Sequence, residues 1–159
     1  MNLNEKQRTY EKVTEHIRSL ISGESDEIAV MATVAAELRM AFPHFHWVGF
    51  YRVVRPGLLK VGPYQGAHGC LSIPFERGVC GRCAREKKTQ IVADVRLIPY
   101  HIACSSTTRS EIVVPLLDSG SSVRAVLDID SDQPAAFDLV DQAALETLLN
   151  ELRAVYAAP

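Results

Sequence analysis

The sequence predicts an α+β fold, an antiparallel sheet of about six strands packed with helices from the N- and C-terminal ends of the chain. Three observations carry this. Apolar residues recur at helical spacing near both ends, and the middle holds runs rich in β-branched and aromatic residues. Short Gly- and Pro-containing turns of the hairpin kind separate the first of those runs.

Tyr10, Val13, Ile17, Leu20 and Ile21 form the apolar stripe of a first helix that stops at Gly23. Ser25 is the expected cap of a second helix, with Ile28, Met31, Ala35, Leu38 and Phe42 as its stripe and Pro43 as its end. Residues 47–54 read as a strand, Arg55-Pro56-Gly57 as a turn, and residues 58–62 as the hairpin partner. Cys70-Leu71-Ser72-Ile73 reads as a third strand. Gly78-Val79-Cys80-Gly81 opens a short helix, and Gln90-Ile91-Val92 is a weak strand. Residues 111–117 and 123–130 are strong strands, and Pro115 argues for an edge or a bulge in the first of them. The last helix begins near Asp138 and buries Leu145, Leu148, Leu149, Leu152 and Val155.

At 159 residues, with no repeat, linker or low-complexity tract, the whole chain reads as one domain, residues 1–159. Its apolar fraction of 47% and charged fraction of 23% are those of a globular protein. A net charge of −2 without a basic block excludes an electrostatic footprint for nucleic acid or anionic membrane. No apolar run approaches the roughly 18 residues of a membrane span. The polar start lacks a signal-peptide pattern, so the expected location is the cytoplasm, where thiols are kept reduced. The amphipathic terminal helices could pair two copies as a homodimer.

All four cysteines, Cys70, Cys80, Cys83 and Cys104, fall within one window of the chain. Clustered thiols in a short reducing-compartment protein point to chemistry: a thiolate attacks electrophilic sulfur, and a neighbour resolves the oxidised product. Cys104 lies in a polar loop with His101 and Arg109, positive neighbours that favour its thiolate, although a lone cysteine more often packs as a small hydrophobe. Cys70 follows the glycine-rich turn Gly66-Ala67-His68-Gly69. Cys80 and Cys83 form a Cys-x-x-Cys at a helix start, where free amides would lower the pKa of Cys80. That spacing also fits half a zinc site or a redox pair. On residues 123–130 alternation puts Asp128 and Asp130 on one face. Together with Glu111 they are either solvated acids or the acid wall of a pocket able to hold an ammonium and share a proton. Trp47 and Tyr51 share one face of their strand, as core packing or as the apolar wall of such a pocket.

Taken together, Trp47-Val48-Gly49-Phe50-Tyr51, Gly62-Pro63-Tyr64-Gln65-Gly66, Cys70-Leu71-Ser72-Ile73-Pro74, Arg77-Gly78-Val79-Cys80-Gly81, Asp94-Val95, His101-Ile102-Ala103-Cys104, residues 110–116 and Val126-Leu127-Asp128-Ile129-Asp130-Ser131 resemble the free methionine-(R)-sulfoxide reductases, a family with the GAF fold. The resemblance runs from about residue 5 to 155 with similar gaps. It implies that Cys104 attacks, that Cys70 resolves the sulfenic acid as an intramolecular disulfide, and that Cys80 is a third cysteine able to join the exchange. It implies that Glu111, Asp128 and Asp130 hold the substrate amine and protonate the sulfoxide oxygen, with Trp47 and Tyr51 around the methyl and sulfoxide. The implied substrate is free L-methionine-(R)-S-oxide and the implied reductant is thioredoxin or another dithiol, with no bound cofactor and no metal. Cys83, and Ala125 where the family has glycine, depart from the pattern: the first implies a competing disulfide or altered recycling, the second a slightly narrowed or shifted pocket. The second hypothesis is a GAF domain that senses a small ligand or redox state without turnover. The third is a structural zinc module built on Cys80 and Cys83.

Overall fold

The structure is a computed structural model that describes residues 1–99 and 106–153. In chain order it contains α1 (Leu3–Leu20), α2 (Glu27–Ala41), β1 (Trp47–Arg55), β2 (Leu58–Gln65), β3 (Ser72–Pro74), α3 (Gly78–Glu86), β4 (Gln90–Val92), a short 3-10 turn (Val95–Leu97), β5 (Ser110–Leu117), β6 (Val123–Ser131) and α4 (Leu139–Leu152). The strands form one antiparallel sheet in the order β3-β2-β1-β6-β5-β4. The α+β class and the six strands agree with the sequence. Among the described residues no helix is long and apolar enough to cross a membrane.

Two apolar clusters lie on opposite faces of the sheet, because side chains alternate along each strand. On one face α1, α2 and α4 pack through Ile17, Val34, Leu38, Phe42 and Leu145 against Val48, Phe50, Ile112, Leu127 and Ile129. A polar tie joins the chain ends beside this core: Lys6 Nζ donates to Asp141 at 2.5 Å and the Tyr10 hydroxyl donates to the same carboxylate at 2.8 Å. On the other face α3 packs through Val79, Cys80, Cys83 and Ala84 against Trp47, Tyr51, Val113 and Val126.

Several local expectations need correction. Asp26, not Ser25, caps α2; its carboxylate accepts from the amides of Ile28 and Ala29. Ile28 is exposed, and Val30 and Val34 take its place in the core. Cys70 precedes β3 rather than opening it. β2 continues past Gly62 to Gln65, with Gly49 opposite Tyr64. β5 is interior, but β4 reaches only Val113, so Pro115 sits where the outer side of β5 has no partner strand. Ala125 is fully buried on the helix face, so it cannot narrow a pocket on the other side of the sheet. Val155 lies outside the described residues.

Candidate active site

The strand register assembles the site on the α3 face. Trp47 stands opposite Asp130, which stands opposite Glu111 on the far side. In the next row Gly49, Asp128 and Val113 are neighbours across the same three strands. Tyr51 follows, opposite Val126. The sheet therefore brings together all five substrate-binding residues expected from the sequence.

The aromatic side is tightly fitted. Trp47 stacks on Tyr51 at 5.7 Å and on Tyr64 at 5.3 Å between ring centroids. Its indole N–H donates to the Ala67 carbonyl at 2.9 Å. The ring leans over Gly49, where a Cβ would come within 2.5 Å of Trp47 Cη2 and 2.4 Å of Tyr64 Cβ. The turn before Cys70 closes over the same rings: a Cβ at Gly69 would stand 2.9 Å from Tyr51 Oη and 3.0 Å from Trp47 Cζ2. Cys70 thus follows directly on a backbone pressed against the aromatic wall. It is half-buried and disulfide-bonded, whereas Cys80 and Cys83 are free thiols.

The acid side is buried and reluctant to ionise. Cys80 Sγ, a Glu111 oxygen and an Asp128 oxygen all lie within 4.8 Å of one another. Burial pushes Asp128 up to about 7, against hydrogen bonds with Cys80 and Glu111 that favour its charged form. Burial and the negative charges of Asp128 and Asp130 push Glu111 well above the carboxylate range, so it is held as a neutral acid. Burial and Asp128 likewise raise Asp130, with the Thr108 hydroxyl as an opposing donor. Like charges this close cannot all ionise, so the cluster retains protons near neutrality. An entering ammonium would relieve the repulsion.

Cys80 overturns one expectation. Its place at the start of α3 does not make it acidic: burial, then the charges of Asp128 and Glu111, push its thiol well above the ordinary value. Cys83 is fully buried and its Sγ donates to the Val113 carbonyl at 3.5 Å. It lies outside the one group of potential metal ligands found among the described residues, which is Cys80, Glu111 and Asp128. Among the described residues no group of potential ligands contains both Cys80 and Cys83, as the zinc module requires.

Cys104 lies outside the described residues, as does His101. The segments on either side of them are anchored to the site. Asp94 accepts from Arg96 at 2.9 and 2.6 Å and stands 3.8 Å from Arg109. The Arg109 amide donates to the Ser131 carbonyl at 2.8 Å, and its own carbonyl accepts from Val95 at 2.9 Å. Residues 106–109 thus enter β5 beside Asp130. Sequence reasoning missed Tyr64, Thr108 and Gly49. Extending the strand alternation past Pro63 would have found Tyr64 opposite Gly49, but nothing local marks Thr108.

The fold and this buried acid–aromatic site define a GAF-domain protein, and the GAF domain family matches residues 10–155. The chain is 44% identical over 147 residues to GAF domain-containing protein A of Dictyostelium discoideum, covering 92% of each chain. It is 34% identical over 148 residues to the free methionine-R-sulfoxide reductase of Escherichia coli, covering 93% of this chain and 88% of that protein. The structure of the free methionine-R-sulfoxide reductase from Neisseria meningitidis in complex with its substrate is 44% identical and superposes with a TM-score of 0.90, covering 95% and 90% of the two chains. Within the GAF class, the chain belongs to the free methionine-R-sulfoxide reductases, a family of oxidoreductases.

Proposed function

We propose that this protein reduces free L-methionine-(R)-S-oxide to methionine with its own thiols. The observation that carries the reading is the buried acid cluster facing the Trp47–Tyr51 wall, with the Cys70 turn closed over that wall. An amino acid with one positive end and a short sulfur-bearing chain matches such a site: the ammonium goes to the carboxyls and the methyl and thioether to the rings. An enclosed site of this kind excludes a methionine within a polypeptide.

In the first step the Cys104 thiolate attacks the sulfoxide sulfur. The sulfur–oxygen bond breaks, the oxygen passes to Cys104 as a sulfenic acid, and methionine leaves. The methionine sulfur gains the two electrons that Cys104 loses. Glu111, Asp128 and Asp130 hold the ammonium and supply the proton that the oxygen takes as its bond to sulfur breaks. Cys70 then condenses with the sulfenic acid, releasing water and forming a disulfide. The oxidised state of Cys70 beside free Cys80 and Cys83 supports this assignment. Thioredoxin or another dithiol restores both thiols by exchange.

The test is to incubate the reduced protein with each epimer of free methionine sulfoxide and dithiothreitol. Turnover of the R epimer alone is expected. Tight binding without methionine release from either epimer would replace the reductase by a sensor.

Gly49→Ala tests the aromatic wall. The added methyl drives the Trp47 indole off its seat, and a displacement of about 1 Å raises KM about tenfold or more. Because Trp47 is the only tryptophan, its fluorescence emission shifts in the same variant. An unchanged KM with a shifted emission would separate the ring from substrate binding.

A further inference from the structure

Of the cysteines in the described residues, Cys80 is the one whose thiol meets the acid cluster. It is 3% exposed and lies under α3 against the sheet, a poor location from which to attack a sulfenic acid or to meet an external dithiol. The helix that carries it is held close to the chain before it. Gly78 takes a positive φ of 69°, and a Cβ at Gly81 would lie 2.6 Å from the carbonyl oxygens of both Pro74 and Phe75. The thiol is thereby fixed with its sulfur within 4.8 Å of an Asp128 carboxylate oxygen. A Glu111 oxygen from β5 lies within the same 4.8 Å. Asp128 Oδ1 is left buried with no hydrogen-bond partner among the described residues.

We propose that Cys80 is a positioning residue, whose S–H orients the Asp128 carboxylate and leaves Oδ1 free for the substrate ammonium, and that it takes no part in thiol exchange. The proposal rests on the reductase reading for its substrate, and gives the third cysteine a role other than recycling. Burial keeps the thiol protonated at neutral pH, which suits a donor and disfavours a nucleophile. Asp128 is also faced by Glu111 from β5, Asp130 on its own strand, Tyr51 from β1 and Cys83 from α3. Removal of the Cys80 donor therefore acts on a carboxylate whose remaining neighbours mostly oppose its charge.

Cys80→Ser keeps a donor and Cys80→Ala removes it. Both are compared with wild type in single-turnover methionine formation without reductant, in dithiol-driven turnover, and by carbon NMR titration of Asp128. The expected result is a serine variant within about threefold of wild type, and an alanine variant with KM raised about tenfold. Asp128 in the alanine variant titrates at higher pH, and in both variants the dithiol reduces the disulfide at the wild-type rate. Equal loss of dithiol-driven turnover in the two variants, with first turnovers intact, would make Cys80 an exchanging thiol and overturn the proposal. So would an alanine variant with unchanged KM and unchanged Asp128 titration. If wild type forms no methionine, the reductase reading fails, and the NMR titration still decides whether Cys80 orients Asp128.

Discussion

Cys104→Ser abolishes methionine formation, with turnover falling by about three orders of magnitude or more, because a serine hydroxyl is neither ionised near neutrality nor able to carry the oxygen through a sulfenic acid. The loss appears in the first turnover and no reductant rescues it. Cys70→Ser behaves differently. It forms methionine once at close to the normal rate, then accumulates a sulfenic acid that a dimedone-type reagent traps. The two variants separate attack from resolution, which steady-state rates alone do not. Full turnover by Cys104→Ser would place the attacking thiol elsewhere in the chain.

Asp128→Asn lowers kcat/KM by about 10²–10³-fold, the span expected when a positioned acid and part of an ammonium site are lost together. The pH profile gives the sign. In the free protein Asp128 is pushed up to about 7, so the cluster holds its proton below that pH and gives it up above. Wild-type kcat/KM therefore falls on the alkaline side as the acid is spent, and in Asp128→Asn that limb moves or disappears. Stability moves the opposite way. A carboxyl raised in the folded state favours folding at low pH, and that contribution is lost as pH rises from the ordinary carboxylate range through about 7. At pH 8 the wild type buries a charge that the amide does not, and the variant is more stable by about 1–2 kcal/mol in urea unfolding. A variant both less active and more stable identifies a group kept for chemistry at the expense of the fold.

Much of this was legible in the sequence because strands and helices announce themselves through periodicity. Alternation in Val126-Leu127-Asp128-Ile129-Asp130 put the two aspartates on one face, and the spacing of Trp47 and Tyr51 put the rings on one face of their strand. Local pattern does not reveal which strands are neighbours. Trp47, Asp130 and Glu111 form a row only because β6 lies between β1 and β5. The same blindness hid Tyr64, whose role comes from pairing with Gly49 across a hairpin that runs on past Pro63. It also misled the reading of Cys80. A helix start lowers a thiol pKa where water or a positive charge is near, but here burial and two carboxyls outweigh the amides. Ala125 looked like a pocket residue by its place in the motif, yet one step along the strand turns it into the opposite core.

The measurement that tests the reductase account most directly is a single turnover without reductant. Fully reduced protein is mixed with excess free methionine-(R)-sulfoxide, and released methionine and the resulting disulfide are both quantified. The account predicts about one methionine per chain and a new bond between Cys70 and Cys104, with Cys80 and Cys83 still titrating as thiols. Bound sulfoxide recovered unchanged, with all four thiols intact, would contradict it.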